Sequence, residues 1–393
     1  MIQYSEKGKR IFSKIEEFLP EMVEIRHDLH AHPELAYEEH RTSKIVSDLL
    51  KQWGYDVTTG IGKTGVVGQL KLGNGGKTIG LRADFDALPI EELTNLPYSS
   101  QHKGKMHACG HDGHTTILLA AARYLAETKN FDGTVNLIFQ PAEEGYAGAK
   151  AMIDDGLFEK FPCDVVYGIH NWPGTAVGYM GTRKGALMPS SDTVKIRVIG
   201  HGGHGAVPHI AVDPIVTASS IVMALQTVVS RNIDPAQTAV VTVGSFRGGH
   251  ASNIIPAEVE LILTVRCFSS QVRDKLQERI ESIVKKQAES FGARAEIDYT
   301  RLYPVLINHD KETDYAVEVA QDLYGTERVN GCVDRAAGSE DFSFMLEERP
   351  GAYLFIGNGD SAPLHNPHYD FNDDVIAYGA AYWGHLVEDY LKA

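Results

Sequence analysis

Cysteine is scarce in this chain of 393 residues: there are four, Cys109, Cys163, Cys267 and Cys332, with no paired spacing. That excludes a disulfide scaffold. In a reducing compartment all four are free thiols, three of them read as small core residues, with Cys109 set apart below. Positive charge is also short. Lys and Arg total 37 against 52 Asp and Glu, a formal net charge of −15, and no basic run interrupts that balance. A nucleic-acid partner needs a basic footprint to displace counterions, and attachment to anionic lipid needs one too, so neither is expected. No stretch approaches 18 consecutive apolar residues, and the opening Met1–Arg10 has no apolar signal core. No membrane partner is expected, and the expected location is the cytoplasm. Internal repeats and low-complexity segments are missing. So is a G-x-S-x-G elbow for a serine nucleophile. Gly73-Asn74-Gly75-Gly76 does not supply the G-x-G-x-x-G context of a nicotinamide or flavin enzyme.

What is present is an ordinary globular composition, 43% hydrophobic and 23% charged, with length for two to three domains. Helical periodicity runs through Ile15, Phe18, Leu19, Met22, Val23, Ile25 and Leu29, breaks at His32-Pro33, and resumes from Ile45 to Trp53. Short apolar runs at Gly65–Leu72, Thr78–Ala83, Thr134–Phe139 and Val165–Ile169 read as buried strands, with helices at Thr115–Glu127 and Ala149–Leu157. That alternation predicts an α/β fold with a mixed, largely parallel sheet covered on both faces. Beyond Met188-Pro189 the order changes. Strand Thr193–Ile199, helix Pro214–Arg231, strands Thr238–Phe246 and Val259–Cys267, helix Gln271–Phe291 and strand Ala293–Thr300 make a ferredoxin-like unit. After Pro304 the alternation returns, with a helix at Glu312–Tyr324, a strand at Ala352–Ile356 and a closing helix at Asp374–Leu391. The expectation is a catalytic domain, 1–189 and 302–393, interrupted by an α+β lid, 190–301.

Polar clusters fall where an open α/β sheet gathers ligands, beyond the carboxyl ends of strands. Arg82-Ala-Asp84-Phe-Asp86 follows one strand and Gln140-Pro-Ala-Glu143-Glu144 another; His170-Asn171 and His365-Asn366 follow two more. His107-Ala-Cys109-Gly-His111-Asp-Gly-His114 precedes a helix whose positive end favours a thiolate at Cys109. Cys, His and Glu are the donors of zinc and similar ions. A single such residue is usually structural; five segments, all at strand ends or a helix start, point to a metal site. The number of ions stays open on this reasoning. Adjacent glutamates diverge, so one of Glu143 and Glu144 can bind metal while the other moves a proton to or from water.

These strings, with Gly338-Ser-Glu340-Asp-Phe342 and the opening Arg26-His-Asp-Leu-His30-Ala-His-Pro-Glu34, resemble the aminoacylase/carboxypeptidase family of metallo-amidohydrolases. The branch most resembled is that of hippurate and indoleacetyl-amino-acid hydrolases, over nearly the whole chain. The resemblance implies two divalent ions held by Cys109, His111, Glu144, His170 and His365. It implies Glu143 as catalytic base and Asp84 as the group that orients a metal-bound histidine or the base. In the lid it implies His204 as stabiliser of the oxyanion and Asn253 as a substrate-binding group. His114 is not made a ligand; His107 and Glu340 are neighbours of the ligands. Many relatives in the wider family carry a ligating His two residues before the equivalent of Asp84 and a bridging Asp at the place of Cys109. Here those positions are Arg82 and Cys109, as in the resembled branch. A thiolate softens the site toward zinc, while imidazole and carboxylate accept manganese, cobalt or nickel.

The implied reaction is hydrolysis of an N-acyl-amino acid, a small molecule, to a carboxylate and a free amino acid. Dipeptidase and N-acetyl-diaminopimelate deacetylase activity are the enzymatic alternatives on this scaffold. A non-catalytic metal-binding module is a third, and it would have lost Glu143 or a ligand. The expected assembly is a homodimer through the lid, or a homotetramer. In the dimer His204 would reach the partner's site.

Overall fold

The computed structural model describes residues 5–392. Residues 1–4 and 393, assigned above to the larger domain, lie outside the described residues. The chain forms two compact units. One takes in the chain up to Gly185, Ile307–Asp334 and the chain from Asp341 onward; the other is Ala186–Leu306 with Arg335–Glu340. The smaller unit thus recruits a distant hexapeptide, tethered by the Ala336 N–H on the Leu187 carbonyl at 3.0 Å.

The larger unit opens on three helices, α1 (Glu6–Glu16), α2 (Leu19–Ala31) and α3 (His40–Gln52). The single periodic stretch expected over Ile15–Leu29 divides because Pro20 lies in the first turn of α2. Proline has no N–H to continue a preceding helix but fits the start of a new one. Strands β1 (Asp56–Ile61), β2 (Gly65–Leu72), β3 (Thr78–Asp84), β4 (Gly133–Gln140), β5 (Val165–Trp172) and β6 (Met180–Gly181) join Val329–Asn330 and Gly351–Gly357 in one sheet. The order is β1-β2-β4-β3-β5, then Gly351–Gly357, β6 and Val329–Asn330. The pairs β4–β3, β3–β5 and β5 with Gly351–Gly357 are parallel; β1–β2 and β2–β4 are antiparallel. Helix α4 (His111–Thr128) is buried along almost its whole length. Parallel register aligns Asp84 with Gln140, so β3 and β4 end side by side. With β5 ending at Trp172, the polar clusters collect at one edge of the sheet.

In the smaller unit a four-stranded antiparallel sheet has the order Ala239–Arg247, Glu258–Cys267, Ser191–Ile199, Arg294–Tyr303. Helices Pro214–Asn232 and Ser270–Ser290 bury Ile221, Leu225, Leu276 and Ile280 in one cluster with Val194, Ile196, Leu261 and Leu263 of the sheet. Asp213 and Ser269 cap these helices through their side chains. Pro214–Asn232 is long and apolar enough, by length and composition alone, to cross a membrane. One of its faces is spent in this core. Cys332 corrects an expectation: it is exposed, not a core residue. It follows a two-residue edge strand, where a small side chain has nothing to pack under.

Candidate metal centre

The helix–strand junctions dictate where each donor goes. Gly110 stands between Cys109 and His111 with φ +88°, and a Cβ there would lie 2.4 Å from Asn171 Nδ2 and 2.5 Å from the Tyr369 hydroxyl. Only glycine lets the chain pass this close. Asn171 Nδ2 donates to the Cys109 carbonyl at 2.7 Å, and the Tyr369 hydroxyl donates to Asn171 Oδ1 at 2.7 Å. On β5, His170 Nδ1 lies 2.7 Å from the Asn171 carbonyl. It donates there, which leaves the Nε2 lone pair facing Cys109 Sγ at 3.4 Å. His365 adopts a left-handed conformation, φ 62°, and donates its backbone N–H to the Ala108 carbonyl at 2.8 Å. Its ring then meets Glu144, Nε2 to Oε1 3.3 Å.

The structure brings Cys109, His111, Glu144, His170 and His365 together. The donor atoms of Cys109, His111 and His170 lie within 4.8 Å of one another, as do those of Cys109, Glu144 and His365. A further such set is His111, Glu143 and Glu144, so Glu143 stands at the same place, buried. His111 Nε2 is buried without a hydrogen-bond partner, and Glu144 Oε1 has only the 3.3 Å approach of His365 Nε2. An orphaned buried polar atom costs about 1–3 kcal/mol, so His111 Nε2, within 4.8 Å of Glu144 and Glu143 oxygens, calls for a ligand. A thiol, imidazoles and a carboxylate suit a divalent cation of the zinc kind.

Charge favours the same guest. Burial and the carboxylates of Glu144, Glu143 and Asp84 push the Cys109 thiol well above its ordinary value. The thiolate expected from the helix end is therefore not stabilised by the protein alone; burial among acids outweighs the helix dipole. Burial opposes charge on His111, yet Asp84, Asp86 and Glu144 raise it to about 10. Burial drives His170 well below its ordinary value, a neutral ring suited to ligation. Burial works against ionised Glu144, but His365 and His111 hold it below the usual carboxylate range.

Asp84 faces His114 Nδ1 at 2.6 Å and accepts from Arg82 Nη1 at 2.7 Å, 3.7 Å from His111 Nε2. The carboxylate that faces His111 Nδ1 is Asp86, which no motif singles out. Asp86 Oδ1 lies 3.2 Å from His111 Nδ1, and Oδ2 accepts the Glu144 N–H at 3.0 Å. Asp86 lies two residues past the end of β3. His114 lies in ligand range, but Asp84 engages one ring nitrogen and the Asn171 N–H the other, at 2.9 Å. His107 is buried with neither ring nitrogen partnered, and burial lowers it to about 4. His204, Asn253 and Glu340 belong to the smaller unit. There His204 is exposed, on a two-residue strand paired with Ile254–Ile255. Its Nδ1 accepts the Ala206 N–H at 3.1 Å, so the neutral ring carries its proton on Nε2 as a donor. Asn253 is exposed, with its carbonyl accepting the Gly205 N–H at 2.8 Å.

Comparison with known proteins agrees in scale. The family described as peptidase family M20/M25/M40 matches residues 80–389. A hippurate hydrolase of Campylobacter jejuni is 49% identical over 372 residues, covering 95% of this chain and 97% of that protein. An N-acetyl-L-cysteine deacetylase of Bacillus subtilis is 40% identical over 357 residues, covering 91% and 85%. Among solved structures, a Bacillus subtilis protein described as a dinuclear metal binding peptidase from the M20 family superposes with a TM-score of 0.84. It is 31% identical, covering 96% of this chain and 99% of that one.

Proposed function

The chain belongs to peptidase family M20/M25/M40, and on that premise we propose how its site works and on what. It is a metal-dependent amidohydrolase that cleaves N-acyl-amino acids. The observation that carries the reading is the unpartnered, buried His111 Nε2 clustered with Glu144, Cys109 and the buried Glu143. Cys109, His111 and His170 form one ligand set and Cys109, Glu144 and His365 another, with Cys109 common to both. Five protein donors exceed the four of one tetrahedral ion and suit two. Zinc or manganese are the expected metals, with cobalt or nickel also accommodated by this donor set. When bound, the ions supply Lewis-acid polarisation of the scissile carbonyl and a more acidic water.

The remaining work belongs to side chains. Glu143 takes a proton from the attacking water and delivers it to the leaving amine nitrogen. The C–N bond breaks, giving a carboxylate and a free amino acid. Asp86 holds His111 through Nδ1 and holds the Glu144 backbone, so both ligands point at one place. Asp84, ionised between Arg82 and His114, fixes the neighbouring His114–Asn171 contact. His204 donates from Nε2 to the oxyanion, and the Asn253 amide contacts the substrate.

The smaller unit supports a homodimer. Ala239–Arg247 is an edge strand with every second side chain turned to solvent, and Met223, Val240 and Phe246 are exposed apolar groups. Free thiols throughout the described residues fit a cytoplasmic location. The test is hydrolysis of N-benzoyl-, N-acetyl- and N-indoleacetyl-amino acids by chelated protein reloaded with zinc, manganese or cobalt. Metal-restored cleavage, strongest for an N-benzoyl substrate, is the expected result. No cleavage of any conjugate with any metal would overturn it.

A further inference from the structure

The turn that presents Glu143 and Glu144 is an improbable one. Ala142 adopts φ 54°, ψ 42°; Gly145 has φ 87° and Ala147 φ 54°. Alanine keeps a left-handed conformation only where its surroundings over-determine it. The turn is also tight: a Cβ at Gly148 would lie 1.7 Å from the Pro141 carbonyl oxygen. Three backbone N–H groups of this stretch end on three buried carboxylates from separate parts of the larger unit. Ala149 donates to Asp341 at 2.9 Å, Glu144 to Asp86 at 3.0 Å, and Ala142 to Glu39 Oε1 at 3.0 Å. The Tyr37 hydroxyl adds a fourth tie, donating to the Tyr146 carbonyl at 2.9 Å.

Glu39 is the member of this group with no other evident task. It is fully buried at the start of α3, and its second oxygen accepts the Thr64 hydroxyl at 2.6 Å. Burial raises this carboxyl to about 7, so the fold keeps an acid where loss of solvation disfavours its ionised form. Its N–H partner sits immediately before the base, at the left-handed residue. Without that acceptor the Ala142 N–H is left unpaired and only its carbonyl stays tied, to the Gly148 N–H at 3.0 Å, so the left-handed turn before Glu143 loosens.

We propose that Glu39 is a positioning residue for hydrolysis: by holding the Ala142 N–H it fixes the left-handed turn that aims Glu143. The assignment rests on Glu143 being the base. It predicts a loss confined to turnover, since the metal ligands keep their own anchors at Asp86, Asn171 and Ala108.

The test compares Glu39→Ala, Glu39→Leu and Glu39→Gln in full-length, metal-loaded protein acting on N-benzoylglycine, with ions per chain and thermal midpoint measured on each sample. Glu39→Ala should lose about 10–100-fold in kcat, the scale of a misplaced catalytic group, with KM within about twofold and metal content unchanged. Glu39→Leu, which fills the space without an acceptor, should match it and replaces it if the alanine variant does not fold. Glu39→Gln should recover to within about threefold of wild type, because the amide oxygen still accepts the Ala142 N–H. A folded, metal-loaded Glu39→Ala or Glu39→Leu enzyme with wild-type kcat overturns the proposal. So does a Glu39→Gln enzyme as slow as the apolar variants, or a loss that appears in KM or metal content instead. Glu143→Gln is run alongside. If it turns over normally, the base assignment has failed; if it is slow while Glu39→Ala is fast, Glu39 alone is wrong.

Discussion

Replacing Asp86 by Asn separates orientation of the ligands from ligation itself. Asp86 is 1% exposed and serves two donors, His111 Nδ1 at 3.2 Å and the Glu144 N–H at 3.0 Å. Asparagine has one side-chain acceptor and one NH2. It can keep one of these contacts and must point a donor at the other. His111 Nδ1 retains the Asp86 carbonyl at 3.0 Å, which limits the damage there. A hydrogen bond to a charged group contributes about 1.5–3 kcal/mol, so losing one costs about 2 kcal/mol. At 1.4 kcal/mol per tenfold, metal affinity should fall about 30-fold, inside the 10–100-fold range for residues that hold metal ligands. The assay is chelator competition on folded protein, with ions counted per chain. An Asn variant that holds metal as tightly as wild type would refute the claim that Asp86 sets the ligand geometry.

Metal should shield Cys109 from iodoacetamide, because a coordinated sulfur is engaged and enclosed; chelated protein should label faster there, with exposed Cys332 as internal control. Equal Cys109 rates by peptide mapping would remove it from the ligand set. A pH effect follows from His30, fully buried with Nδ1 2.8 Å from Asp112. Burial opposes its charge, but Asp112 and Glu92 raise it to about 9. A histidine raised in the folded state stabilises fully below its ordinary value near 6.5, and that stabilisation is lost as pH rises through 9. The metal-free thermal midpoint should therefore fall between about pH 6.5 and 9.5, and less so in His30→Gln; parallel curves would contradict this. Mixing Glu143→Ala with His204→Ala protein under subunit exchange should restore about a quarter of wild-type activity, since half the dimers are mixed and each has one intact site of two. No recovery after verified exchange would return His204 to its own chain or to no role.

Legibility in the sequence followed local contrast. Gly65–Leu72 and Val165–Ile169 stood out as apolar runs between breakers. Asp56–Ile61 did not: only Ile61 is buried, Val57 and Thr58 are half-buried, and Asp56, Thr59 and Gly60 are exposed on an antiparallel flank, with no period-2 pattern. Met180–Gly181 is too short for any period. The five candidate ligand positions were visible because each sits in a dense polar string at an element end. Asp86 was hidden by its likeness to Asp84, since only the fold tells which carboxylate faces His111. Glu39 was hidden by distance, 103 residues before the Ala142 it anchors. The opposition to a Cys109 thiolate was hidden too: a helix end is local, while the acids that oppose the thiolate arrive from other segments.

The central claim is that Glu143 moves the proton while Cys109, His111, Glu144, His170 and His365 hold the ions. The most direct test is kcat for N-benzoylglycine of Glu143→Gln, measured on protein whose ions per chain have been counted. The account predicts two ions retained and a kcat lower by about two to four decades, the usual contribution of a general base. A Glu143→Gln enzyme with its metal complement and near wild-type kcat would contradict it.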